Sequence, residues 1–124
     1  MIERALDHLV DSLFADSGPT PTTVEAVMAD GPWSRAMVET GFADHRRTWD
    51  VEGVLGAARR ELAAVPADAR VRTPKSILHI WPHLPGAGLT PVLFGAVLGV
   101  EQWIRPPGGA GAFARHVVDL WNRV

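Results

Sequence analysis

Cysteine and tyrosine are both missing from these 124 residues, and lysine occurs once, at Lys75. Without a thiol the chain forms no disulfide, offers no thiolate to a metal and carries no cysteine nucleophile, so any thioester chemistry it joins needs a thiol from elsewhere. Charge of either sign is scarce. Twelve Lys plus Arg against 14 Asp plus Glu leave a net charge of −2, and no basic stripe interleaves with aromatics, which argues against a nucleic-acid surface. Long hydrophobic runs are also lacking. The longest, Val92 to Val100, is far below the ~20 residues that span a bilayer, and the opening Ile2-Glu3-Arg4 is charged. A cytoplasmic protein without a membrane span is expected.

What remains is apolar. Hydrophobic residues make up 47% of the chain, enough for one modest core, and the basic residues are almost all arginine, a bias that points to a high-GC genome more than to a function. Ile2, Leu6, Leu9, Val10, Leu13 and Phe14 form one stripe at helical spacing, predicting an amphipathic helix over 2–15 ended by Ser17-Gly18-Pro19. Thr22 to Glu25 is a capping-box pattern opening a second helix that Gly31-Pro32 closes. Ser34 caps a third, short helix to Thr40, with Gly41 after it, and Asp50 caps a fourth that runs to about Val65.

The second half changes character. Ser76 to Trp81 is a short apolar run bounded by Pro74 and Pro82, the pattern of a strand buried on both faces. Thr90 as N-cap, Pro91 as first helical residue and Gly99 as left-handed stop predict a helix over about 92–98. A second strand follows at Glu101 to Arg105, and the glycine-rich turn 106–111 leads into a last helix over 112–123. The expected fold is α/β, with helices in region 1–73 followed by a βαβα unit in 74–124, together forming one compact domain. Two parallel strands with one crossover helix leave both sheet edges unpaired and too little packing to stand alone. The remainder of the chain reads as helix, so a partner chain, or a sheet shared across a dimer, is expected to extend this sheet.

Several residues could carry chemistry. Arg105 ends a strand at the carboxyl edge of a parallel sheet, where ligands bind in open α/β folds, and its planar fork suits phosphate, sulfate or carboxylate; an interface ion pair is the plainer alternative. His83, in the tight loop after the first strand, is a candidate acid, base or anion donor, or else an ordinary loop histidine. Gly86, Gly88 and the amides leading into Thr90 could cradle an anion at a helix start, or simply serve the turn. The same pair of readings applies to the glycine run 108–111. His79 is expected as a hydrogen-bonded structural histidine, and Trp81 and Trp103 as packing residues. His45-Arg46-Arg47 and Lys75 are expected on the surface.

The runs Leu78-His-Ile-Trp-Pro-His-Leu-Pro-Gly-Ala-Gly-Leu89 and Leu98-Gly-Val-Glu-Gln-Trp-Ile-Arg-Pro-Pro107 resemble the start of the nucleotide-binding domain of long-chain acyl-CoA reductases, the LuxC-like branch of the aldehyde dehydrogenase superfamily. The helices before them suit that family's N-terminal region. The resemblance implies a half of a Rossmann-like sheet whose catalytic cysteine and remaining strands would be supplied by a larger partner chain. Where the family has Gly-Asn before the loop proline, this chain is one residue shorter and has His83. Where the family has a lysine near the cofactor, it has Arg105.

Those departures imply a small subunit of a heteromeric enzyme of natural-product biosynthesis, inactive alone, that works without a cofactor. It would bind an anionic group of a small-molecule or carrier-bound substrate and promote elimination of sulfate or phosphate, with or without ring closure. Two alternatives stand beside it. One is an NADPH-dependent acyl thioester reductase subunit that uses a partner's thiol. The other is a non-catalytic subunit that completes a partner's sheet.

Overall fold

The computed structural model describes residues 2–16, 18–69, 72 and 74–123. Ser17, and with Arg70, Val71 and Thr73 part of the expected linker and the expected boundary at residue 73, lie outside the described residues.

Helix α1 (Ile2–Leu13) buries Leu6, Leu9, Val10 and Leu13, the stripe that its spacing dictates. It stops two residues early. Phe14–Ala15 (β1) pairs antiparallel with Gly18–Pro19 (β2), a two-residue ladder that an all-helical reading of the first half does not contain. Helix α2 (Pro21–Met28) is capped by Thr20, not by Thr22. Pro21 lacks an N–H and has its φ preset, so it suits the first helical position, where that donor would be unpaired anyway. The Thr20 backbone N–H also donates to the Leu13 carbonyl at 2.9 Å, tying the cap to the end of α1.

Helix α3 (Arg35–Thr48) is capped by Ser34 as expected, but it runs straight through Gly41. A mid-helix glycine costs about 1 kcal/mol relative to alanine. Val38 and Phe42, four residues apart and both buried in the core, offset that cost. Helix α4 (Val51–Ala63) begins at the expected Asp50 cap, whose carboxylate accepts from the Glu52 N–H at 3.1 Å.

The parallel pair follows: β3 (Ser76–Ile80), helix α5 (Leu89–Val97) and β4 (Glu101–Arg105), in register Ser76 with Glu101 through Ile80 with Arg105. Helix α6 (Ala112–Trp121) ends the chain's regular structure. Helix α5 starts one residue before Thr90, with Gly88 at its N-cap and no side-chain cap bond. Thr90 is therefore inside the first turn, where Pro91 is also tolerated because the first four helical N–H groups have no intrahelical acceptor. Gly99 adopts φ +65° and ends the helix as expected.

One core joins both halves. It holds α1, α2 and α3 residues together with Leu89, Val92, Leu93 and Ala96 of α5 and Phe113, Val117 and Leu120 of α6. An aromatic chain threads it: Trp49 to Phe14 (5.4 Å between ring centroids), Phe14 to Phe42 (6.0 Å), Phe42 to Phe113 (5.6 Å) and Phe113 to Trp81 (5.7 Å).

The expectation that β3 is buried on both faces is not met. Its inner face is covered: His79 is buried and its Nε2 lies 2.7 Å from Gln102 Oε1, the structural histidine that was expected. Gly95 lets α5 press onto that pair, since a Cβ there would lie 2.2 Å from the same Gln102 oxygen. The outer face is bare. Leu78 is 61% exposed, Ile80 71% and Trp103 58%. Trp103 therefore packs under nothing in the described structure, whereas Trp81 is buried.

Candidate functional site at the carboxyl edge of the parallel strands

At the end of β3 the Trp81 N–H donates to the Arg105 carbonyl at 3.0 Å, continuing the ladder one step beyond the strands. The chain then turns through Pro82 to Gly88, with Ala87 N–H on Leu84 O (3.3 Å) and Leu89 N–H on Gly86 O (3.1 Å). Two hollows flank this loop. One, about 30 Å³, lies between the loop, Asp30, Trp81, Pro106 and Phe113. At roughly 10–15 Å³ per water position it holds about two waters. The other, about 160 Å³ and mostly apolar, lies between the loop and α3 and is lined by Trp33, Met37, Phe42, His45, Leu84 and Pro85.

His83 is exposed and lines the smaller hollow. Gly86 has φ +83°, a backbone state that disfavours side chains, and a Cβ there would sit 3.1 Å from the His45 ring. Gly88 is pressed more closely: a Cβ would fall 2.3 Å from the Trp81 indole. Thr90 Oγ1 accepts from Trp49 Nε1 at 2.9 Å. Packing and turn geometry thus account for both glycines, and the Thr90 hydroxyl serves Trp49. The Trp81 Nε1–H is buried without an acceptor among the described residues, a cost of about 1–3 kcal/mol carried by the residue that walls the site.

Arg105 is elsewhere. Its register partner is Ile80, so its side chain belongs to the bare outer face with Leu78, Ile80 and Trp103, and it lines neither hollow. Among the described residues the ion pairs are Arg35–Glu39 at 3.7 Å and Arg47–Asp44, so Arg105 takes part in neither. The structure brings His83, Gly86 and Trp81 together. It sets Arg105 on the other side of the sheet edge.

The glycine run before α6 has its anion built in. One Asp30 oxygen accepts from the N–H groups of Gly111 (2.9 Å) and Ala112 (2.7 Å), and the other from Phe113 (2.9 Å). The carboxylate satisfies orphan donors at the helix start and meets the positive end of its dipole. No phosphate is needed there. Asp30 escaped the sequence reading because its partners lie some 80 residues away, and an aspartate before Gly31-Pro32 reads as a turn residue.

A second long-range contact also went unread. His116 Nε2 lies 3.1 Å from Thr23 Oγ1, which in turn lies 2.9 Å from the capping Thr20 Oγ1. Burial, reinforced by the Arg123 charge and opposed by Asp119, pushes the His116 imidazole below its ordinary value.

No group of three or more His, Cys, Asp or Glu side chains able to hold a metal occurs among the described residues, and none of the described helices is long and apolar enough to cross a membrane. Comparison with protein-family models, with curated proteins and with solved structures finds no match to this chain.

Proposed function

We propose that the chain is the small subunit of a heteromeric, cytoplasmic, acyl-CoA-reductase-like enzyme of natural-product biosynthesis, inactive alone, with a larger partner completing its Rossmann-like half-sheet. The observation that carries this reading is the outer face of β3 and β4. Parallel strands are found covered on both sides, and here Leu78, Ile80 and Trp103 stand in solvent while neither outer strand edge is paired among the described residues.

The substrate's anionic group is held by Arg105, whose fork has no ion-pair partner among the described residues and stands at the strands' carboxyl edge. The chemistry is non-redox. The bond from carbon to a sulfate or phosphate oxygen breaks, and the electron pair leaves with the oxyanion. Either a neighbouring hydrogen is lost and a double bond forms, or a nucleophilic atom of the same molecule closes a ring; in both cases the released proton passes to a base on the partner chain. A fixed guanidinium favours this step because negative charge grows on the departing group.

The placement of these residues favours a second reading, a scaffold without a chemical role: Arg105 and His83 open on different sides, and the hollow that His83 lines, about 30 Å³, is too small for a substrate. Arg105→Ala separates the two. In the assembled complex it lowers turnover at least tenfold with assembly intact if Arg105 holds the leaving group, and unchanged turnover establishes the scaffold.

A further inference from the structure

Gly41 weakens helix α3, and neither its backbone nor its neighbours require a glycine there. It lies in ordinary helix without a left-handed φ, and a Cβ added to it would touch no other part of the protein. Alanine would fit and would strengthen the helix. What the missing side chain leaves is space, and that space opens into the apolar hollow of about 160 Å³ between α3 and the loop after β3. We propose that this hollow is a binding site for a small uncharged molecule, which enters through one six-membered aromatic ring and lays it against the Gly41 backbone. The site is separate from Arg105 and stands whether or not the chain is a subunit.

Met37, Gly41 and His45 follow at four-residue spacing along one row of α3, so the glycine is a notch between two larger side chains. The buried Phe42 lines the same hollow, with Leu84 and Pro85 contributed by the loop. Size then limits the ligand: a cavity of about 150 Å³ walled by apolar side chains takes one benzene. The walls set its chemistry. Trp33, Phe42 and His45 supply three rings, and rings attract one another in offset or edge-on geometry. His45 is held in place, stacked on Trp49 at 5.0 Å and edge-on to Phe42 at 6.1 Å.

No Asp, Glu, Lys or Arg side chain lines the hollow among the described residues, so a charged ligand would shed its hydration without meeting a counter-charge. The exposed, unbranched Met37 side chain can fold over a bound ring. The surroundings favour a small molecule over a side chain of another protein. The ion pairs Arg35–Glu39 and Arg47–Asp44 lie along the same helix, and the cores of protein interfaces are depleted in such charges.

The test titrates phenol, cyclohexanol and benzoate into the full chain at pH 7 while the methyl signals of Met37 and Leu84 and the Trp33 indole signal are followed by NMR. Phenol is expected to shift all three with a Kd of about 1 mM, ordinary for so small a ligand. Cyclohexanol is expected to bind about fivefold more weakly for want of ring–ring contacts, and benzoate about fivefold more weakly because of its charge. Gly41→Ala is expected to raise Tm by about 4 °C and yet to weaken phenol binding about threefold, since the new methyl group takes the ring's place. Gly41→Leu, which fills the notch, is expected to weaken it about tenfold.

Shifts confined to other surfaces, no shift at all, or an affinity for phenol that both Gly41 variants leave unchanged overturns the site. Cyclohexanol or benzoate binding as tightly as phenol overturns the ligand class. N-acetylphenylalanine methylamide binding about tenfold tighter than phenol makes an aromatic side chain of another protein the occupant, and overturns the small molecule.

Discussion

Replacing Asp30 by alanine removes one carboxylate and strands three backbone donors, those of Gly111, Ala112 and Phe113. An ordinary cap is worth about 0.5–2 kcal/mol. This one belongs at or above the top of that range, because its acceptor is charged and it crosses from the end of α2 to the start of α6. Water reaches the partly exposed site and recovers some of the lost bonding, so about 2–3 kcal/mol is expected for Asp30→Ala. Asp30→Asn keeps one acceptor oxygen and loses the charge, for about 1–2 kcal/mol. At about 2.1 cal/mol/K of unfolding entropy per residue, 124 residues convert 2.5 kcal/mol into a drop in Tm of roughly 10 °C. Urea unfolding of the two variants and the parent, with thermal melts alongside, measures this. A loss under 0.5 kcal/mol in Asp30→Ala, or no difference between alanine and asparagine, would refute the reasoning that the α6 start is held by an internal anion.

His116 is held in its neutral form by burial, so its folded value lies below the unfolded one of about 6.5. Between the two values the unfolded chain binds more protons, so this contribution is complete above about pH 6.5 and is lost as pH falls through that window. Urea unfolding at pH 7.5 and 5.5 is expected to show the decline, and His116→Gln, which can still bond Thr23, is expected to flatten it; an equal decline in both proteins contradicts the assignment.

The sequence is most legible where a single residue type enforces geometry. Ser34 and Asp50 cap where they should, Gly99 turns left-handed, β3 falls between Pro74 and Pro82, and β4 covers Glu101 to Arg105 as expected. It misleads where local signals compete with packing. Gly41 reads as a stop, yet Val38 and Phe42 anchor the helix on either side of it. Thr90 reads as a cap, yet its hydroxyl is taken by Trp49 from 41 residues away.

The alternation of β3 is ambiguous by itself. A run such as Ser-Ile-Leu-His-Ile is apolar on both faces whether or not both are covered, and only the structure shows Leu78 and Ile80 outside. Asp30 and His116 were invisible because nothing local marks a partner that far along the chain.

The whole account turns on whether the face carrying Trp103 meets another polypeptide. Oxidative footprinting of Trp103, with the isolated chain and the complex co-expressed with its larger partner labelled side by side, measures this directly. With Trp103 58% exposed in the chain alone, labelling should be strong there and fall at least fivefold on assembly, while the buried Trp81 is expected to stay unmodified in both samples. Labelling of Trp103 that is as strong in the complex as in the isolated chain would contradict the account.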